Sequence, residues 1–454
     1  MVVDALRLAT RELAMFAGIG FAVFAVDEIA IDFIWLARAL WRRIFVYSKV
    51  AMTTSETIPQ SPTPGRLAIF VPAWDESDVI AETLTHALRT YGDQAYDVFV
   101  GCYPNDLDTQ NAVDRIASPS VRKVICKLPG PTTKADCLNQ IWLAAAHPLS
   151  PVYKGMILHD AEDIVSSAEL KIFDAMLDRF DLVQLPVVPF TDRSSRFISG
   201  HYCDEFAEAH GKTMVVRECL GAGIPSAGVG CAIRWSALET LAAANGGVPF
   251  DVGSLTEDYE LGINLRAAGL KTVFVRIPTT DAPGVVATQA HFPDTLDTAV
   301  RQKTRWMLGI TLAGWDRLGW GAGWGENWMR LRDRRAVVAA VLLLAGYSAL
   351  ILYALVLMAD YFLGIDIRLF SPLFAAIMGF NAVVLVWRLL VRAYFVGRIY
   401  GAGEAMLSII RLPISNVIAM MAARRAVLQY LTYLKVGTLL WDKTAHRAPD
   451  GLSG

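Results

Sequence analysis

Three carboxylates, Asp160, Glu162 and Asp163, crowd into four positions directly after the short apolar run 156–158 and His159. Hard carboxylate oxygens at the end of a buried strand suit a divalent cation. Mg²⁺ or Mn²⁺ takes one or two carboxylates together with phosphate oxygens of a substrate. The plainer alternative is a solvated acidic loop. That alternative is weakened because the next helix has its own expected start, a capping-box pattern formed by Ser166 and Glu169.

Two further constellations lie downstream. Glu257 and Asp258 open a helical pattern over 255–269, with Ser254 and Glu257 spaced as a second capping box. Adjacent acids there either serve chemistry or simply favour the positive end of the helix. The pattern over 299–315 puts Gln302, Arg305 and Trp306 at i, i+3 and i+4, hence on one face. An arginine so placed can grip a diphosphate bidentately; the alternative is a basic, solvated face beside a membrane.

The elements that must position these groups alternate. RLAIFVPAW, YDVFVGCYPND, VRKVICKLPG, GMILHD, DLVQLPV and KTVFVRIP read as buried strands, with helical patterns such as DVIAETLTHALRT and SSAELKIFDAMLDRF between them. That alternation predicts a largely parallel α/β sheet, in which ligands bind at the carboxyl ends of the strands. Asp160 falls at such an end.

Around this middle region the composition changes. Of the 454 residues 54% are hydrophobic and 19% charged, against about 25% charged in soluble domains, and the deficit implies membrane segments. Spans are expected at 13–36, 336–358 and 371–390. The first carries Asp27, Glu28 and Asp32, expected at the inner boundary beside Arg38, Arg42 and Arg43, with contact to the middle domain as the alternative. The segment 401–431, with Glu404, Arg411 and Pro413, suits an interfacial amphipathic helix better than a fourth or re-entrant span. Basic residues after the first span, before the second and after the third place the middle domain and the C-terminus in the cytoplasm. The expected division is an anchor and juxtamembrane helix (1–50), a linker (51–65), an α/β domain (66–325), two transmembrane helices (326–400), and an interfacial helix with a cytoplasmic tail (401–454).

Six scattered cysteines without a CxxC pair fit free thiols of a reduced compartment rather than a zinc site. With 42 basic against 44 acidic residues, no bulk charge invites nucleic acid.

DAED, TED and QKTRW, in this order between membrane segments, resemble the inverting family 2 glycosyltransferases of GT-A fold, the cellulose- and hyaluronan-synthase-like enzymes. FVPAWDES, VGCYPNDLDTQ, LPGPTTKADCLN, LHDAED, SAGVG, FPDTLDTAVRQKTRW and WDKTAHR are similar, more closely, to NfrB-type inner-membrane glycosyltransferases. The likeness runs over most of the chain. It departs at Asp75, where the family usually has Asn, and around 282–291, which looks shorter. The sequence also stops at Gly454 without the family's C-terminal cyclic di-GMP-responsive domain, so a separate sensor chain is expected if that nucleotide regulates it.

The resemblance implies a GT-A, Rossmann-like cytoplasmic domain flanked by transmembrane helices, in the bacterial inner membrane. It implies Asp160 and Glu162 as a DxD pair holding Mg²⁺ or Mn²⁺ on the diphosphate of a sugar nucleotide, UDP-linked by expectation, with Asp163 as a further participant. Asp258 matches the general base, beside Glu257. Gln302, Arg305 and Trp306 match the residues that bind diphosphate and acceptor. Pro72, Trp74, Asp75 and Glu76 match the segment that reads the nucleoside, with Asp106 and Lys134 as further nucleotide contacts. His159 is expected to be a structural neighbour. The implied function is transfer of a hexosyl or N-acetylhexosaminyl unit to a growing cell-surface polysaccharide, with a secretion or outer-membrane partner. The alternatives are a glycolipid synthase and a non-catalytic receptor or assembly subunit on a transferase fold.

Overall fold

The computed structural model describes residues 2–280, 284–363 and 371–436. The WDKTAHR tail, and parts of the 282–291 and 359–370 segments, lie outside the described residues.

A seven-stranded sheet forms the centre of the middle region. Its strands are β1 (Arg66–Pro72), β2 (Tyr96–Cys102), β3 (Val121–Ile125), β4 (Tyr153–Leu158), β5 (Leu182–Gln184), β7 (Cys231–Arg234) and β8 (Thr272–Phe274). A two-stranded sheet pairs β6 (Val187–Pro189) with β9 (Thr288–Ala290). The order is β3-β2-β1-β4-β7-β5-β8, and only β7 runs antiparallel to its neighbours.

Alternating side chains of β1 feed two cores. Leu67, Ile69 and Val71 pack with Ile80 and Leu84 on one face; Ala68 and Phe70 pack with Leu138 and Ile141 on the other. Burial on both faces is why these strands read as continuous apolar runs. The central strands β2, β1 and β4 are parallel, so their carboxyl ends lie side by side.

Both expected capping boxes are absent. The helix Glu169–Met176 starts at Ala168 and the helix Glu257–Ala267 at Thr256, neither with a side-chain cap. Glu169 is instead buried under the strand ends, where tertiary partners outbid a cap. Strands β7 (CAIR) and β9 (TQA) were not legible in advance, because neither sits in a longer apolar run of the kind that marked the equally short β5 and β8.

Four helices among the described residues are long and apolar enough to cross a membrane: Asp4–Val46, Ala336–Phe362, Pro372–Tyr400 and Ala402–Val436. Length and apolarity thus qualify four segments, one more than expected. The fourth, however, meets the α/β unit near both its ends, Arg411 with Asp204 and Tyr430 with Asp316. Its middle touches that unit too, where Thr304 Oγ1 donates to the Ala422 carbonyl.

The acids of the first helix correct the expectation more firmly. Asp27 pairs with Arg332 and Arg335, Glu28 with those two and Arg388, and Asp32 accepts from Lys212 Nζ at 2.5 Å and Trp387 Nε1 at 2.8 Å. They engage the α/β unit and the following helices, while Arg38 turns to Glu218. A buried carboxylate needs a cation, and these are the ones the fold brings to it.

Candidate active site

A cavity of about 390 Å³ opens at the carboxyl ends of β1, β2 and β4. Pro72, Trp74 and Glu76 enter it from the end of β1, Tyr103 from the end of β2, and Asp160, Glu162 and Asp163 from the end of β4. Lys134 reaches it from the first turn of the helix Lys134–Ala145, which Thr133 caps by accepting from the Asp136 N–H at 3.2 Å. Glu257 and Asp258 arrive on the first turn of their helix, and Gln302, Arg305 and Trp306 on one face of the helix Leu296–Trp306.

Asp75 and Asp106 lie outside the cavity lining. Asp106 caps the helix Leu107–Asp114 by accepting from the Thr109 N–H, and it also accepts from the Asp75 N–H at 2.6 Å. Asp75 has φ +56°, a left-handed conformation that Asn and Asp tolerate best among residues with a side chain. An Asp for Asn exchange at that place therefore keeps the turn. The pair braces the loop carrying Trp74 and Glu76.

Beneath the acidic loop lies a buried ion triad. His159, 3% exposed, bonds Asp163 Oδ2 through Nδ1 at 3.1 Å and Glu169 Oε1 through Nε2 at 2.7 Å. Burial pulls the imidazole pKa down, but the Glu169 and Asp163 carboxylates overcome it and raise it to about 10. His159 is therefore a charged clamp. Asp163 Oδ2 also takes the Asp160 N–H at 2.9 Å, so Asp163 holds the loop from below.

On the cavity side, Lys134 Nζ sits 2.5 Å from Asp160 Oδ1 and 3.3 Å from the Gly228 carbonyl. Burial pulls its pKa down, yet Asp160, Glu257 and Asp258 together raise it above the ordinary lysine value. Loss of water raises the Asp258 pKa; the same cause, reinforced by Asp258, pushes Glu257 up to about 7. Poised carboxyls near neutral pH are what proton transfer needs.

Several buried polar atoms at the cavity have no hydrogen-bond partner: Asp163 Oδ1, Thr256 Oγ1 and Gln302 Oε1. Buried polar groups are otherwise almost always satisfied, so these point to a ligand. Among the described residues no three His, Cys, Asp or Glu side chains already gather as a cage for a metal ion. Asp160 and Glu162 nevertheless fit a hard cation completed by substrate phosphates, and the Lys134 ammonium already marks a cationic position at Asp160.

The cavity also takes in residues that motif reading passed over: Tyr103, Asp192, Phe206, His291 and Asp294. Tyr103 and Asp294 stood within quoted motifs. Asp192 and His291 had no local signal, because a long connection and the small β6–β9 sheet bring them there.

A mostly parallel α/β sheet of GT-A type, with carboxylates and an arginine lining one cavity at the strand ends and long apolar helices at either side, is the architecture of a family 2 glycosyltransferase domain joined to helices that could span a membrane. The chain belongs to the glycosyltransferase-like family 2, whose model matches residues 64–309. It is 36% identical to bacteriophage adsorption protein B of Escherichia coli K12 and to bacteriophage N4 adsorption protein B of E. coli O157:H7. Each alignment covers 94% of this chain. The chain spans 61% of the length of these relatives. Its fold is similar to that of mannosyltransferase PcManGT from Pyrobaculum calidifontis, solved with GDP-Man and Mn²⁺. There the TM-score is 0.52 at 15% identity, over 93% of this chain and 99% of that one.

Proposed function

We propose that this protein is an inverting glycosyltransferase of the bacterial inner membrane. It moves a hexosyl or N-acetylhexosaminyl unit from a UDP-linked sugar to a growing cell-surface polysaccharide. One observation carries the reading: Glu257 and Asp258 share a single cavity with the Lys134–Asp160 pair and the Gln302, Arg305, Trp306 face. The curated relatives are named for bacteriophage adsorption, which suits a product displayed at the cell surface. Export would then need a secretion or outer-membrane partner.

The donor's base and ribose lie along Trp74, Glu76 and Tyr103, and its diphosphate between Lys134 and Arg305. Asp258 takes the proton from an acceptor hydroxyl as that oxygen attacks the anomeric carbon. The bond to the diphosphate breaks on the opposite side, inverting the configuration. Arg305 and Lys134 supply fixed positive charge where the diphosphate gains negative charge. Trp306 offers an apolar face to the acceptor sugar. Asp160 and Glu162 would hold Mg²⁺ or Mn²⁺, which supplies Lewis-acid neutralisation of the leaving group.

The test is nucleotide release from a panel of UDP-sugars and GDP-mannose, with Mn²⁺ or Mg²⁺, by detergent-purified protein and by Asp258→Asn. Turnover with one donor, lost in the mutant, is the expected result. Release unaffected by Asp258→Asn would sink the assignment. Product size then separates a polysaccharide ladder from a single glycolipid.

A further inference from the structure

A second and larger space, about 890 Å³, lies on the opposite side of the helix Leu296–Trp306 from the catalytic cavity. Helical spacing separates the two faces. Thr298, Gln302 and Arg305 look into the cavity, whereas Asp297 and Val300 look into this groove. Its other walls come from the apolar helix Ala336–Leu363, through Leu344, and from the last helix, through Val417, Met420 and Leu428. Leu344 and Leu428 are 59% and 56% exposed, so the groove presents an open apolar floor.

Its charge is one-sided. Arg424 and Arg425 stand together at the edge, and Arg424 is exposed with no ion pair among the described residues. Asp297, the acid of the lining, is already neutralised by Arg301 at 2.6 Å. An apolar trough beside the exposed Arg424 guanidinium complements an amphiphile with an anionic head.

We propose that this groove seats one anionic phospholipid of the surrounding bilayer, its acyl chain between Leu344 and Leu428 and its phosphodiester at Arg424 and Arg425. The site goes beyond the transfer reaction. Because it faces away from Asp258, its lipid is not an acceptor. It braces the helix that carries Gln302, Arg305 and Trp306 against the last helix.

The full chain is reconstituted in phosphatidylcholine vesicles containing a minor share of phosphatidylglycerol, extracted gently and weighed intact by native mass spectrometry. One phosphatidylglycerol is retained well above its share. Reversing both arginines (R424E with R425E) lowers that retention at least about tenfold, since each basic residue near an anionic headgroup contributes about 1 kcal/mol. Leu344→Trp, which fills the trough and leaves the charges, lowers it too, and both variants still bind UDP, which shows that the fold survives. Should the charge reversal unfold the chain, Leu344→Trp decides alone. Equal retention of phosphatidylcholine, or unchanged phosphatidylglycerol in the variants, overturns the proposal. So does displacement of the lipid by millimolar inorganic phosphate, which would mark a soluble-anion site, or a polypeptide or second copy found in its place.

Discussion

Asp258 and Glu257 are neighbouring acids in one partly enclosed cavity, and their behaviour should be that of a pair. Two like charges withdrawn from water do not ionise together easily, so the pair keeps a proton up to about pH 7, the value to which Glu257 is pushed. A base works only without its proton, and burial favours the protonated form. Glu257 holds that proton, so Asp258 loses its own at lower pH, and we expect kcat/KM to climb with pH on a limb raised above the ordinary aspartate range by burial. Glu257→Gln mimics the protonated neighbour, so the rising limb should stay in place; a limb that moved to lower pH would mean that Glu257, not Asp258, ionises first. Asp258→Asn should lower kcat by about 10²–10⁴-fold while sparing nucleotide affinity in calorimetry. His159 gives a stability prediction of its own. Its folded pKa of about 10 lies above the ordinary 6.5, so its contribution is complete below about pH 6.5 and fades as pH rises through 10. His159→Gln strands two buried carboxylates and should cost about 3–5 kcal/mol in denaturant unfolding. A loss under about 1 kcal/mol would mean that the clamp is not charged.

At the scale of elements, the turn before β7 governs the base. Gly228 has φ +79°, and a Cβ there would overlap the Asp258 carboxylate. Gly228→Ala should therefore lower the melting temperature through its strained positive φ and reduce kcat by more than that loss explains, which turnover measured well below the melting transition would show. The acidic loop makes a second case. Lys134 neutralises only Asp160 directly, so EDTA should weaken UDP binding if Asp160 and Glu162 share a cation with the diphosphate. Identical calorimetric affinities with and without chelator would remove the metal from the site.

For the whole molecule, the network of Asp27, Glu28 and Asp32 with Lys212, Arg332, Arg335 and Arg388 ties the first helix to the α/β unit and to the two following apolar helices. Breaking a buried pair from one side costs several kcal/mol because a charge is left uncompensated. Arg388→Ala should lower the melting temperature in detergent by at least about 5 °C, with little dependence on salt, since buried pairs are weakly screened. A shift that vanished at high salt would describe a surface contact instead.

What the sequence determined by itself was local. Apolar runs marked β1, β2 and β4 because strands buried on both faces have no polar side to show, and the acids stood out because nothing local required them. The face shared by Gln302, Arg305 and Trp306 followed from helical spacing alone. Tertiary structure decided whatever depends on partners far along the chain. Asp27 meets Arg332 across 305 positions, and no window of sequence records such a pairing. Glu169 looked like a cap and became a buried partner of His159 because the fold offered it a stronger contact. Asp163 looked like a cation ligand, and the fold gives it a further task, its Oδ2 holding the loop beneath Asp160. Strand β7 turns antiparallel, and Asp192 and His291 reach the cavity, because packing settles only after distant segments have met. Periodicity and residue chemistry are short-range properties that a sequence carries openly, whereas the partner of a buried charge is fixed only by the folded chain.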